Sequence, residues 1–259
     1  MAHLEIDFYS KILQKQTAMT VLLPEYPSGG RSLGEVPVLT LLHGLSDDHH
    51  GWIRRTAIER YAEKYGLAVV MPETLRGFYV NVAVGGYRYW DHVAKEVPAI
   101  TRHMFGLSER RELNHVAGLS MGGFGAMKHA LLQPERFATA ASFSGAVNLL
   151  LISSSQESAH YLPGEGEMLF GSREQLRDSD NDLLALLRRN HAAGVTLPNL
   201  YMWCGTEDEL YPCTTSFRDQ CRSLDIPLTY TEGPGCHRWE YWDACIQNYL
   251  QWLADEHYL

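Results

Sequence analysis

The chain has 259 residues, with 22 Lys+Arg against 31 Asp+Glu, a formal net charge of −9 and 45% hydrophobic residues. At this length folding buries roughly 70–75% of the unfolded surface, so a full core forms without disulfide or metal staples. The acidic balance argues against nucleic acid and anionic lipid as partners, because both are polyanions.

In chain order, the start Met1-Ala-His-Leu-Glu-Ile-Asp-Phe is acidic where a secretory signal needs a basic start and a continuous apolar stretch. The chain is therefore expected to be unprocessed and cytoplasmic. No apolar run approaches the ~20 residues of a membrane span. Residues 4–9 and 18–23 fit an antiparallel edge hairpin. Beyond them, short apolar runs at 36–42, 67–71, 113–118, 137–143 and 199–204 read as strands buried on both faces. Segments of helical length lie between them, at 52–65, 90–104, 123–132 and 213–224. This alternation implies an α/β fold, a mostly parallel sheet with helices on both sides, formed as a single domain over 1–259.

Residues 147–198 break the rhythm, since they separate two expected strands where one helix would suffice. The stretch holds Leu149-Leu-Leu-Ile, Ser153-Ser-Ser, Pro163-Gly-Glu-Gly and the helical Asp182-Leu-Leu-Ala-Leu-Leu-Arg-Arg. It is read as a lid or cap insertion. The five cysteines, Cys204, Cys213, Cys221, Cys236 and Cys245, are odd in number and lack CxxC spacing, which points to reduced thiols.

The sharpest signal is Gly118-Leu119-Ser120-Met121-Gly122, a G-x-S-x-G placed between an expected strand and an expected helix. A serine at the tip of such a turn projects its hydroxyl outward beside the positive end of the helix. A hydroxyl is a weak nucleophile at neutral pH and needs a base, which an acid in turn orients. The strand at 199–204 runs into Gly205-Thr-Glu-Asp208-Glu, a carboxylate-rich loop where ligand sites of open α/β sheets form. Asp208 is the candidate acid, with Glu207 and Glu209 as alternatives. After a strand-like run at 227–231 comes Gly233-Pro-Gly-Cys-His237, and His237 is the candidate base. Acyl transfer also needs donors for the oxygen that becomes negative. One is the backbone N–H of Met121, and the other is expected from the loop His43-Gly44-Leu45-Ser46, at Leu45. His43 is read as orienting that loop by hydrogen bonds.

Other clusters carry less. Asp47-Asp48-His49-His50 has the residue types of a metal site, yet adjacent ligands in one short loop seldom wrap an ion, and hydrolysis through a serine needs none. Neither a metal nor another cofactor is expected. Tyr87-Arg-Tyr-Trp-Asp91 either lines a pocket mouth or covers the core, and Trp239, Tyr241 and Trp242 are expected to pack the last helix.

Taken together, Leu41-Leu-His-Gly-Leu-Ser, Gly118-Leu-Ser-Met-Gly-Gly-Phe-Gly-Ala, Gly205-Thr-Glu-Asp and His237-Arg-Trp-Glu-Tyr-Trp resemble the putative-esterase family of α/β hydrolases. The resemblance runs over most of the chain, about 36–253. It implies Ser120 as nucleophile, Asp208 as acid, His237 as base, and Leu45 and Met121 as oxyanion donors. Within the family the chain looks most like the tributyrin esterases, which implies hydrolysis of short-chain acyl esters, acetyl to butyryl, through an acyl-enzyme. S-formylglutathione hydrolase or a related thioesterase is the alternative, as is an esterase of acetylated or feruloylated carbohydrate. S-formylglutathione hydrolases usually carry histidine immediately before the serine, where this chain has Leu119. The resemblance also implies a small-molecule ester substrate and makes a homo-oligomer a candidate assembly, with Leu149-Leu-Leu-Ile as a candidate surface for it. A non-catalytic binding protein of the same fold would typically have lost one of the three side chains, and all three are present.

Overall fold

The computed structural model describes residues 1–152 and 164–259. Its strands are β1 (Ala2–Ser10), β2 (Lys15–Leu23), β3 (Val38–Leu42), β4 (Ala68–Pro72), β5 (Asn114–Leu119), β6 (Thr139–Phe143), β7 (Asn199–Gly205) and β8 (Leu228–Gly233). They form one sheet in the order β1-β2-β4-β3-β5-β6-β7-β8. The β1–β2 hairpin is antiparallel and joins β4 antiparallel, and every pair from β4 to β8 is parallel. In β1 exposed and half-buried residues alternate, as in an edge strand with one wet face, whereas β4 and β6 are buried along their whole length. The chain steps from β3 outward to β4 and then crosses back over β3 to β5, so the winding reverses between β3 and β5. Ligand crevices of open α/β sheets form at the carboxyl ends of such a strand pair.

One face of the sheet is covered by α1 (Gly51–Arg55), α2 (Ile58–Tyr65) and the last helix, α8 (Trp239–Asp255), whose Trp242, Ile246, Tyr249 and Leu250 pack with Leu39, Leu41, Ala117 and Phe143. The other face is covered by α4 (Met121–Leu132), α6 (Leu183–Ala192) and α7 (Tyr211–Ser223), which bury Phe124, Met127, Leu186, Leu187 and Phe217 against Leu42, Val116, Ala140 and Met202. A smaller cluster joins the hairpin to β4 through Met19, Val21, Val70 and Val97.

Two expected helices are interrupted for local reasons. The segment 52–65 splits at Thr56, whose backbone is extended and whose hydroxyl donates to Trp52 O at 2.6 Å and accepts Ile58 N–H at 3.2 Å. A threonine that bonds its own backbone this way competes with the helix ladder. The segment 90–104 runs as a short turn Tyr89–Asp91, a π-helical turn His92–Glu96, and α3 (Val97–Phe105). Pro98 has no N–H to return to Ala94 O, so a regular ladder fails there. The freed Ala94 carbonyl takes the Arg136 guanidinium instead.

The stretch 147–198 also resolves into two parts. Its helix α6 is an ordinary crossover between β6 and β7, packed on α4 and α7 and capped at Asp182, which accepts Ala185 N–H at 3.1 Å. The departure from alternation is confined to the region before it, with short helices Leu149–Ile152, α5 (Glu165–Phe170) and Arg173–Leu176. The Ser153-Ser-Ser run and Pro163 lie outside the described residues. Among those residues no helix is long and apolar enough to cross a membrane.

Phe143 is fully buried and meets the rings of Trp52, Tyr201 and Tyr249 at centroid distances of 6.3, 6.4 and 6.1 Å. Phe143→Ala is expected to cost about 3–5 kcal/mol in denaturant titration, while Tyr9→Ala, at an exposed edge position, stays within about 0.5 kcal/mol.

Candidate active site

Ser120 stands between β5 and α4 with φ 52 and ψ −117, a conformation that costs a non-glycine residue about 1–3 kcal/mol. Its neighbours hold it there. Ser120 N–H donates to Phe143 O at 2.9 Å, and Ser120 O accepts Phe124 N–H and Ala146 N–H, each at 3.1 Å. The flanking glycines are required by contact. A Cβ on Gly118 would lie 2.4 Å from the Gly122 carbonyl, and one on Gly122 would lie 2.3 Å from Leu42 O. Strand, turn and helix can therefore close on each other only if both side chains are absent.

Two loops at the same edge of the sheet supply the partners. The loop after β7 and the loop after β8 are laced together: Thr206 N–H donates to Gly233 O at 2.9 Å, Glu207 N–H donates to Gly235 O at 3.0 Å, and Gly235 N–H returns a bond to the Glu207 carboxylate. Glu207 is thereby committed to backbone, and Asp208 is the carboxylate that faces the imidazole. His237 Nδ1 lies 3.1 Å from each Asp208 oxygen, and His237 Nε2 lies 3.0 Å from Ser120 Oγ. With the ring proton on Nδ1, the imidazole donates to Asp208 and accepts the serine hydroxyl. Asp208 is 4% exposed and also accepts Leu210 N–H at 2.8 Å. The His237 side chain keeps 22% exposure, open to a substrate. Trp242 meets the His237 ring edge-on at 4.8 Å and donates its indole N–H to Ser144 Oγ at 3.1 Å. It packs the last helix, as expected, and it also supports the imidazole, a contact that the sequence pattern does not signal.

Across from Ser120, β3 runs into His43-Gly44-Leu45. Among the described residues, neither Leu45 N–H nor Met121 N–H has a hydrogen-bond acceptor. One of these open donors is on the residue that follows Ser120 and the other on the loop that leaves β3, the strand paired with β5, and a developing oxyanion would need two such groups. The Leu45 loop is held from below. His43 Nδ1 lies 2.8 Å from Gly44 O, Thr74 N–H reaches His43 Nε2 at 3.1 Å, and the Tyr79 hydroxyl donates to His43 O at 2.9 Å. Burial alone would push the neighbouring Glu73 carboxyl up, but the His43 ring at 3.5 Å and the N–H groups of Leu75 and His49 hold it down at about 2.

Beside this loop opens a mainly apolar cavity of about 640 Å³, lined by Ser46, Asp47, Leu75, Val82, Tyr87, Tyr89, Met168 and Leu169 among others. Tyr87 and Tyr89 thus face a pocket, while Trp90, half-buried, lies against the buried His129 and under the buried Lys128, so the aromatic cluster does both of the things its sequence allowed. Arg76 spans the cavity rim. Its Nε lies 3.0 Å from both Glu165 oxygens, its Nη2 2.7 Å from one, and its Nη1 donates to Ser46 Oγ at 2.8 Å. Backbone bonds from Ala83 to Leu169 and from Val84 to Met168 tie α5 to the same rim. Neither Arg76 nor Glu165 stands in a recognisable motif, and only the fold brings them together.

The family described as "Putative esterase" matches residues 10–253 of the chain. An acetyl esterase of Caldicellulosiruptor saccharolyticus is 28% identical over 262 residues, 98% of each chain. Among solved structures, a substrate-bound fluorophosphonate-binding serine hydrolase F of Staphylococcus aureus has a TM-score of 0.88 at 31% identity, covering 97% of this chain and 98% of that one. An S-formylglutathione hydrolase of the same organism has a TM-score of 0.86 at 31% identity, with the same coverage. The fold is that of the α/β hydrolases.

Two outcomes test the geometry. Gly122→Ala is expected to lose about 3 kcal/mol or more, or to fail to fold, because the obstructing atom is backbone; a melting curve matching the parent's would show that the turn has more room. Glu73 has a lowered carboxyl pKa, so its stabilisation is present above about pH 4.5 and is lost as pH falls toward about 2. Urea midpoints measured stepwise in pH should fall through that window in the parent and less steeply in Glu73→Gln, where Asp91 and Glu96, also held low, still titrate.

Proposed function

The chain belongs to the "Putative esterase" family and is a carboxylic ester hydrolase, and from that premise we propose that it removes short acyl groups, acetyl to butyryl, through Ser120, His237 and Asp208. The observation that carries this reading is the unbroken series Ser120 Oγ to His237 Nε2 at 3.0 Å and His237 Nδ1 to the buried Asp208 at 3.1 Å.

The steps follow from those positions. His237 Nε2 takes the hydroxyl proton as Ser120 Oγ bonds to the ester carbonyl carbon, and the carbonyl oxygen becomes negative between Leu45 N–H and Met121 N–H. The bond to the leaving alcohol breaks as His237 returns the proton to it. Water then adds to the acyl-enzyme, its proton passing to His237, and the Ser120–acyl bond breaks as that proton returns to Oγ. Asp208 holds the imidazole in the tautomer this needs and offsets its transient positive charge. The short acyl range is supported by the full-length likeness to an acetyl esterase. The segment that includes α5 is read as a lid within a single domain. Glu165 of that segment pairs with Arg76 from the loop after β4, and this pair would hold the roof over the cavity and limit acyl length.

A thioester of glutathione is the second reading, favoured by the likeness to the Staphylococcus aureus S-formylglutathione hydrolase. Relative kcat/KM on butyrate esters and on S-formylglutathione separates the two.

Ser120→Ala should abolish both ester turnover and covalent labelling by a fluorophosphonate, with the parent labelled at Ser120; labelling elsewhere would move the nucleophile. Asp208→Asn should lower kcat by about 10³–10⁴ with little change in KM, because the imidazole is left in the wrong tautomer. Glu165→Ala should extend the p-nitrophenyl ester profile toward longer chains, and an unchanged profile would remove the lid from the argument.

A further inference from the structure

The sequence places His49 and His50 side by side, which by itself cannot enclose an ion. The structure brings a third group to them from β1. Glu5 Oε2 lies 2.9 Å from His50 Nε2 and 3.6 Å from His49 Nδ1, and one ligand atom from each of the three residues lies within 4.8 Å of the other two. We propose that Glu5, His49 and His50 form a zinc(II) site on the rim between the edge hairpin and the loop that carries Leu45.

Three observations support a built site. First, the donor set is two imidazoles and one carboxylate, which suits a borderline divalent ion and leaves positions for water. Bonds of about 2.0–2.1 Å in a tetrahedron separate ligand atoms by roughly 3.3 Å, a value that the two measured separations from Glu5 bracket. Second, outer partners are in place. Asp48 Oδ2 is 3.5 Å from His50 Nδ1, so a carboxylate backs the imidazole whose other nitrogen faces the site, and His3 Nε2 is 2.8 Å from the outer oxygen of Glu5. Third, the inner ligand is fixed. The His49 side chain is 10% exposed, and its backbone N–H donates to Glu73 Oε2 at 3.3 Å. Thr20 Oγ1, 2.8 Å from His49 Nδ1, donates to Glu5 Oε2 at 3.3 Å, so an ion that takes Nδ1 displaces the hydroxyl from the imidazole and leaves its bond to Glu5. His50, 36% exposed, already presents Nε2 to Glu5 while its ring lies 3.8 Å from that of His49.

The site is separate from the ester chemistry, which uses none of these residues, and it stands whether or not the proposed acyl preference does. Its effect is mechanical, since a bound ion would clamp β1 to the loop that runs on to Leu45.

The test uses untagged full-length protein, stripped with a chelator and dialysed. Zinc uptake is measured by elemental analysis and by calorimetric titration, with thermal unfolding alongside. The expected result is one zinc per chain, a rise in Tm with zinc concentration, and no uptake of calcium or magnesium. Glu5→Gln and His50→Asn, both at the surface, should each weaken zinc binding by more than about 10- to 100-fold, the loss typical of an outer partner alone, and leave the zinc-free Tm and ester turnover unchanged. Absence of uptake by the parent overturns the proposal. So does uptake that neither variant weakens, because the ion would then be held elsewhere, for example at Cys236.

Discussion

A serine held at φ 52 and ψ −117 can keep that conformation only if strand, turn and helix leave it no other, and the packing around Ser120 does this with backbone rather than side chains. Gly118 meets the Gly122 carbonyl, Gly122 meets Leu42 O, and Phe143 O takes the Ser120 N–H. The turn therefore couples β3, β5 and β6. Its local strain, about 1–3 kcal/mol, is offset by the burial of the three strands it joins. The same closure starts α4 at Met121, whose N–H remains open, so the conformation that exposes the hydroxyl also creates a donor next to it.

The imidazole and carboxylate are held by a different device. Their loops follow the two last parallel strands, β7 and β8, which are hydrogen-bonded neighbours, so the loops emerge side by side and bond each other through Thr206, Glu207, Gly233 and Gly235. Within that lacing Glu207 is spent on a backbone N–H and Asp208 is turned inward to His237. Trp242 then closes the imidazole from the side of the last helix. Each catalytic candidate thus depends on the sheet for position and on a neighbouring loop for orientation.

Much of this was readable along the chain. The parallel strands and the edge hairpin follow from apolar runs, and the turn at Ser120 follows from glycine spacing, because these are local properties of backbone sterics and burial. Helix boundaries were less legible. The break at Thr56 depends on a hydroxyl choosing its own backbone, and at the π turn before Pro98 the freed Ala94 carbonyl finds its donor in Arg136, far along the chain. The stretch 147–198 looked like one insertion because its length was visible, whereas the packing of α6 on α4 and α7 was not.

By itself the sequence determined the succession of strands and helices along the chain, the tight turn at Ser120, and a short set of carboxylates and histidines that could serve as its partners, since periodicity and glycine placement act over a few residues. The tertiary structure decided which of them meet. Turning Asp208 rather than Glu207 to His237, joining Arg76 to Glu165 across the cavity, and setting Glu5 against two adjacent histidines each bring groups from separate elements together in space. Such meetings depend on strand order and loop path, which no local pattern of residues encodes.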